Sequence, residues 1–147
     1  MELVRFKIKH LLSSAQIYFD KVDPAALEAK PTPGKWSKKE ILGHLVDSAI
    51  NNIQRFTEIQ NQPKPYQVRP YNPDALVAAN DYQHKDLPEL FALWKCLNLQ
   101  ISFIVSRQTQ ATQKYPLILP DGQTKDLKFL INDYVDHLEH HLDQIYH

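Results

Sequence analysis

The sequence predicts an all-α protein, a four-helix bundle formed by a single domain over residues 1–147. Four long stretches carry apolar residues at alternating spacings of three and four, which is the pattern of a helix with one buried face. The chain contains only three glycines, and 43% of its residues are hydrophobic, which is enough for a core of ordinary size. Four amphipathic helices of similar length therefore favour a bundle.

The first helix is predicted from about Glu2 to Val22. It ends before the Asp23-Pro24 step, because a residue that precedes proline disfavours the helical conformation. A small helical turn is predicted around Pro24 to Ala29. The apolar stripe of the first helix consists of Val4, Ile8, Leu11, Ala15, Tyr18 and Val22.

Capping boxes mark the starts of the next two helices. Ser37 is followed three positions later by Glu40, a pairing that satisfies free amides at a helix N-terminus, and the helical pattern continues to about Ile59. The third helix begins at Asp86, with Glu89 in the corresponding position, and runs to the polar segment SRQTQ. Both starts are therefore well defined in the sequence.

The links between helices predict the topology. A short, proline-containing link joins the first two helices and predicts a helical hairpin. The link from about Asn61 to Lys85 is much longer and contains four prolines, so it can run the length of the bundle and permits a crossover. The last link contains YPLIL and an Asp121-Gly122 turn, which predicts a small β-hairpin or an extended loop, and the fourth helix begins near Thr124 or Asp126.

Composition limits the partners and the chemistry of the chain. Seventeen basic residues balance seventeen acidic ones, so the chain lacks the basic surface that binds nucleic acid or an anionic membrane. No run of about eighteen uncharged apolar residues is present, so we expect no transmembrane helix and a cytoplasmic protein. The single cysteine, Cys96, excludes an internal disulfide, and its apolar helical surroundings predict a buried thiol without reactivity.

Three histidines form the most informative pattern in the sequence. His137 and His141 are four residues apart in the closing segment DYVDHLEHHLDQIYH, so on a helix they project from one face and can bind a single ion. With His44, three neutral nitrogens plus water form the open coordination set of a catalytic divalent metal. Since His141 also falls at the centre of an apolar stripe, a buried histidine with no ligand role is the alternative. The remaining histidines are predicted to be exposed: His10, His84, His140 and His147.

The positions of the three histidines require a particular helix direction. His44 lies near the start of the second helix, whereas His137 and His141 lie toward the end of the fourth, so a shared ion requires these helices to be antiparallel. An up-down-up-down bundle would make them parallel and would offset the ligands by roughly 10 Å along the bundle axis. A long crossover between the second and third helices removes this offset. We therefore predict an up-down-down-up bundle.

A polar line continues from His44 along the second helix and offers candidates for substrate binding or for outer contacts to the ligands. Its members repeat at three- and four-residue spacing, and they are Ser48, Asn51 and Arg55. Asp47 and Asp133 could accept hydrogen bonds from ligand imidazoles, as carboxylates near metal sites commonly do. For all of these residues an ordinary surface position is the alternative.

The segments PGKWSKKEILGHLVDSAINNIQRF and DYVDHLEHHLDQI together resemble the DinB/YfiT-like superfamily, and the resemblance covers nearly the whole chain. It implies a four-helix bundle with up-down-down-up topology. It also implies a divalent metal, which is zinc, nickel or iron, held by one histidine of the second helix and an H-x-x-x-H pair of the fourth. These positions correspond to His44, His137 and His141, and histidine occupies all three here.

The resemblance also implies an enzyme with a small-molecule substrate, because similar members are described as metal-dependent hydrolases. In a hydrolase of this kind a metal-bound water is the nucleophile. Relatives include transferases and isomerases that use low-molecular-weight thiols, so a thiol-dependent S-transferase or isomerase with the same metal is one alternative. A non-catalytic metal-binding or interaction domain is another, although structural metal sites usually have a fourth protein ligand. The sequence leaves a homodimer open.

Overall fold

The computed structural model describes all 147 residues and consists of four long helices with short elements in the links. The long helices are α1 (Glu2–Phe19), α3 (Lys38–Asn61), α5 (Leu87–Ser106) and α6 (Leu127–Tyr146). The short helices are α2 (Pro24–Glu28) and α4 (Pro73–Asn80), and 3₁₀ turns cover Tyr82–His84 and Thr112–Lys114. The four predicted helices and the small helical turn after the first are confirmed.

Side-chain caps define the starts of three long helices. The Ser37 hydroxyl accepts the backbone N–H of Glu40, and the Glu40 carboxylate accepts the backbone N–H of Ser37, so the capping box is complete. Asp86 caps α5 and Asp126 caps α6, each by accepting a backbone N–H of the first turn. α1 ends earlier than expected, at Phe19, because the chain turns before the proline that opens α2.

Contacts between helices give their directions. The Lys7 ammonium of α1 forms an ion pair with Glu139 of α6, and the Tyr18 hydroxyl near the end of α1 donates to the carbonyl of Ile145 near the end of α6. Residue numbers therefore rise together along the two helices, and α1 and α6 are parallel.

α3 and α6 run in opposite directions. Near the end of α3 the ring of Phe56 lies 6.0 Å from the ring of Tyr134, whereas near its start the ring of His44 lies 4.7 Å from that of His141. α5 is antiparallel to α1, since its early residues lie beside the end of α1. The bundle therefore has the predicted up-down-down-up topology, with α3 and α5 parallel.

The first and second long helices do not form the predicted hairpin of neighbours. α1 packs against α5 and α6, and α3 packs against the same two helices, so α1 and α3 lie on a diagonal of the bundle. The link between them contains α2, which packs on α3. Link length alone predicted the hairpin, and a link of this length reaches a diagonal helix as readily as a neighbouring one.

The link between α3 and α5 carries the crossover. Within it, α4 and the 3₁₀ turn that follows pack against α3, so the chain returns along the helix it has just left. Strand β1 (Tyr66–Gln67) pairs in parallel with β2 (Pro116–Ile118), and β2 pairs antiparallel with β3 (Thr124–Asp126). The β2–β3 hairpin realises one of the two expectations for the last link, with Gly122 at φ 87° in its turn. β1 has no counterpart in the sequence prediction, because two residues give no strand pattern.

The prediction for Cys96 is wrong, because its thiol is exposed. Trp94 and Asn98 belong to the buried face of α5, and Cys96 is two residues from each, which places it on the opposite face of the helix. Leu99 and Phe103 are exposed on the same helix, so apolar residues on both faces obscured the periodicity. Despite this apolar character, none of the helices has the length and hydropathy needed to cross a membrane.

Candidate metal centre

Three imidazoles meet where the first half of α3 lies against the second half of α6. His44 projects from α3, and His137 and His141 project from successive turns of α6. The Nε2 atoms of His44 and His137 are 3.1 Å apart, and one ring nitrogen of each histidine lies within 4.8 Å of the other two. The ring centroids are 4.5–5.0 Å apart. The structure thus brings together all three predicted ligands.

The donor set of this cluster fits a divalent ion. Two nitrogens that bind zinc at about 2.0–2.1 Å with a tetrahedral angle are about 3.3–3.4 Å apart. The separation of 3.1 Å between the Nε2 atoms of His44 and His137 is close to this value. Imidazole suits zinc, nickel and iron alike, and no carboxylate or thiol joins the cluster. Three neutral nitrogens leave further coordination positions for water or substrate.

Burial keeps the cluster neutral. His44 is 3% exposed, and burial, with smaller effects of His137 and His141, lowers its pKa to about 4. Burial and the neighbouring His141 and His140 lower the pKa of His137 to about 4. Burial also lowers the pKa of His141, whereas a hydrogen bond with Gln144 raises it. Neutral imidazole is the form that binds a metal, so the histidines need no deprotonation at neutral pH.

We expect the metal-free protein to lose stability as the pH falls from about 6.5 to about 4. In this window the unfolded chain protonates histidines that the folded chain keeps neutral, since the pKa of His44 and of His137 falls from 6.5 to about 4 on folding. The stability is therefore fully present above about pH 6.5, and each histidine contributes a loss of at most about 1.4 kcal/mol per pH unit. Urea unfolding across this range measures the slope. A His44→Gln/His137→Gln variant serves as the control, and an equal slope in that variant would contradict the assignment.

Two of the three histidines have hydrogen-bond partners on the side away from the cluster. The Ser48 hydroxyl oxygen lies 3.4 Å from Nδ1 of His137, and Oε1 of Gln144 lies 2.8 Å from Nδ1 of His141. Because an amide oxygen only accepts, Nδ1 of His141 carries the proton and leaves Nε2 for an ion. Ser48 was a sequence candidate. Gln144 was not, although its three-residue spacing from His141 was a usable signal.

His44 has no such partner. Its ring packs against Trp36, with 5.0 Å between ring centroids, and its buried Nδ1 makes no hydrogen bond to the protein. Asp47 follows one turn later, where Oδ1 accepts hydrogen bonds from the Tyr82 hydroxyl at 2.6 Å and the Asn80 amide at 2.9 Å. Burial raises the pKa of Asp47, and these two hydrogen bonds oppose the rise. The second oxygen, Oδ2, is buried and unpaired.

The other sequence candidates do not hydrogen-bond to the three histidines. The Asn51 amide donates to a backbone carbonyl one turn earlier in α3. Arg55 donates a hydrogen bond of 2.7 Å to a carbonyl of the crossover link, and its guanidinium lies over the ring of Tyr71. It is three turns beyond His44, about 16 Å along the helix axis. Asp133 is exposed on α6.

The cluster is open to solvent on one side. His137 and His141 are only half-buried. A cavity of about 310 Å³ lies beside Trp36 and Gln144, which contact His44 and His141, and none of the three clustered histidines lines it. A cavity of this size is at the lower end of the range for small-molecule sites. The remaining histidines are exposed, as predicted: His10, His84, His140 and His147.

The topology and the histidine cluster define a class of protein, an up-down-down-up helix bundle with three imidazoles shared between α3 and α6. The chain belongs to the DinB superfamily, whose family model matches residues 8–145. The resemblance inferred from the sequence is thus confirmed. No curated protein matches the chain significantly.

Solved structures share this fold at low sequence identity. YfiT from Bacillus subtilis, described as a probable metal-dependent hydrolase with an unusual four-helix bundle topology, superposes with a TM-score of 0.86. The two sequences are 21% identical, and the match covers 99% of this chain and 83% of YfiT. A mycothiol-dependent maleylpyruvate isomerase matches with a TM-score of 0.74 and 13% identity, over 97% of this chain and 59% of the isomerase. At these identities the likeness shows the fold.

Proposed function

We propose that this protein is a divalent-metal-dependent enzyme that hydrolyses a small molecule. The observation that carries the proposal is the cluster of three buried or half-buried imidazoles with no fourth protein ligand. A divalent ion held by these three imidazoles would lower the pKa of a bound water toward about 7 and would polarise a substrate oxygen. Membership of the DinB superfamily, and a fold shared with a probable metal-dependent hydrolase, support the same assignment.

The residues of the chain have distinct tasks in this proposal. His44, His137 and His141 hold the ion through neutral imidazoles, and burial is what keeps them neutral. Ser48 and Gln144 hold two of the rings in orientation from the outer side. Zinc, nickel and iron all suit these ligands, so the donor set restricts the metal without selecting one.

A second candidate is a transferase or isomerase that uses a small-molecule thiol at the same ion. The fold likeness to a mycothiol-dependent isomerase motivates it, and a metal lowers the pKa of a thiol as it does that of water. A non-catalytic metal-binding domain is the third candidate. The missing fourth protein ligand argues against it, since structural sites are usually closed.

A substrate panel tests these candidates. Ester, amide and lactone substrates are offered to the metal-loaded and metal-stripped protein, and thiol plus electrophile pairs are offered in parallel. Hydrolysis that disappears on stripping and returns with one equivalent of metal supports the hydrolase. Turnover that requires the thiol identifies the second candidate instead. A loaded protein that turns over neither class contradicts the proposal of an enzyme of these types.

We expect activity to depend on the histidine cluster and not on the exposed thiol. Cys96 lies on α5 and takes no part in the cluster, so Cys96→Ala should leave kcat/KM within about twofold of the parent. His137→Ala should lower kcat/KM by about 100-fold or more, because the ion loses a ligand. Steady-state kinetics on the first substrate found measures both. An inactive cysteine variant beside a fully active metal-stripped protein would exclude a metal-centred reaction.

A further inference from the structure

We infer that the crossover link takes part in the metal centre. Tyr82 and Asn80 hold Asp47 so that its free oxygen accepts a hydrogen bond from a water molecule, which in turn accepts the Nδ1–H of His44. This inference rests on the proposed function, since it concerns the orientation of a metal ligand. Asp47, Tyr82 and Asn80 are positioning residues in this arrangement. None of them contacts the ion.

The first support is a pair of buried atoms with opposite hydrogen-bonding roles. Nδ1 of His44 and Oδ2 of Asp47 are both buried without a protein partner, and each residue is only 3% exposed. Leaving one such group unsatisfied costs about 1–3 kcal/mol, so two within a turn of the same helix need an explanation. Side chains three residues apart lie next to each other on a helix. The two side chains therefore lie next to each other on one face of α3.

The chemistry of the two atoms agrees with this connection. A histidine that binds a metal through Nε2 carries its proton on Nδ1, which must then donate a hydrogen bond. An ionised carboxylate oxygen only accepts. The two groups make no direct hydrogen bond. A water molecule between them would accept from His44 and donate to Asp47, and so satisfy both. An imidazole that donates to a carboxylate in this way is fixed in orientation and becomes a better ligand.

The second support is the way the crossover link fixes Asp47. The Tyr82 hydroxyl and the Asn80 amide both donate to Oδ1, which leaves Oδ2 free. Tyr82 is 4% exposed, and its ring packs directly against Gly43, the residue before His44. Contacts from the link thus lie on either side of His44 along α3. The crossover link makes α6 antiparallel to α3, which an up-down-up-down bundle would not. The same link also contacts the turn of α3 that carries His44.

Metal affinity of isosteric variants tests the inference, with Co²⁺ alone as the probe and its visible absorption as the signal. Asp47→Asn keeps the volume and replaces the accepting oxygen, and it should weaken Co²⁺ binding about 10–100-fold. Tyr82→Phe removes one of the two hydrogen bonds that Oδ1 of Asp47 accepts, and it should weaken Co²⁺ binding by a smaller factor. Asp133→Asn is the matched control, because Asp133 is exposed on α6 and has no partner in the cluster, and it should stay within about twofold.

A second readout separates positioning from folding. In the zinc-loaded parent, nitrogen-15 NMR should show His44 protonated at Nδ1, and the resonance should shift in Asp47→Asn and in Tyr82→Phe. Urea unfolding of the metal-free variants records any loss of stability. If the parent binds no Co²⁺, the proposed function fails. If the parent binds Co²⁺ and Asp47→Asn binds it equally well, or if Asp133→Asn loses as much affinity, the inference is wrong and the proposed function stands.

Discussion

Replacing His44, His137 or His141 with alanine is expected to weaken binding of a divalent ion by more than about 100-fold. Loss of an outer partner of a metal ligand typically costs about 10–100-fold in affinity, and loss of the ligand itself removes a coordinate bond as well. The three ring nitrogens lie close enough to share one ion, so each variant leaves a site with two ligands. Competition between Zn²⁺ and a chromophoric chelator measures the affinities.

The histidine beside the cluster provides the control for this prediction. His140 is exposed and adjacent in sequence to His141, so His140→Ala removes an imidazole from the same turn of α6 without removing a ligand. Its affinity for Zn²⁺ should stay within a few fold of the parent. At a free Zn²⁺ concentration of 100 times Kd, the free energy of unfolding of the parent should also rise by about 2.7 kcal/mol. The three ligand variants should show no such rise at the same concentration. An unchanged affinity in His141→Ala would remove His141 from the site.

A methyl group added at Gly43 is expected to destabilise the fold. At an open helical position Gly→Ala gains about 1 kcal/mol, because alanine is the better helix former. Here a Cβ atom would overlap the Tyr82 ring, which is itself buried, so the ring or α3 must move. Such overpacking costs about 1–3 kcal/mol, and we expect Gly43→Ala to lower the free energy of unfolding by about that amount.

A double-mutant cycle isolates this contact. In a Tyr82→Ala background the ring is absent, so the same Gly43→Ala change should become neutral or stabilising. Urea unfolding of the four proteins gives the coupling energy, which should be at least as large as the penalty that Gly43→Ala carries in the parent. If Gly43→Ala destabilises both backgrounds equally, the glycine is needed for some other reason and the close packing of Tyr82 is not the cause.

The helices and their directions were predictable because local signals and one long-range argument agreed. The capping box at Ser37 and the caps at Asp86 and Asp126 mark boundaries through hydrogen bonds within one turn, which sequence spacing records directly. The crossover followed from requiring His44 to meet the pair on α6. The diagonal position of α1 relative to α3 was not predictable, because it depends on which apolar faces pack best and no local spacing encodes that choice.

The sequence predicted the three histidine ligands of the candidate centre. It predicted far less about the side chains that surround them. Two histidines four apart and a third on an antiparallel helix are a pattern that sequence can show. The partners of Asp47 come from the crossover link, more than thirty positions later, and only the fold brings Asn80 and Tyr82 beside it. Arg55 follows the polar line of α3, but its guanidinium turns to the crossover link, a contact that helical spacing does not contain.

Anomalous diffraction from crystals grown with zinc is the most direct test of a shared metal site. We expect one strong peak per chain at about 2.0–2.1 Å from Nε2 of His44, His137 and His141. Data collected on both sides of the zinc absorption edge identify the element. A peak on the exposed His140 or His147, with the three clustered rings left in mutual contact and free of metal, would exclude a metal site shared by His44, His137 and His141.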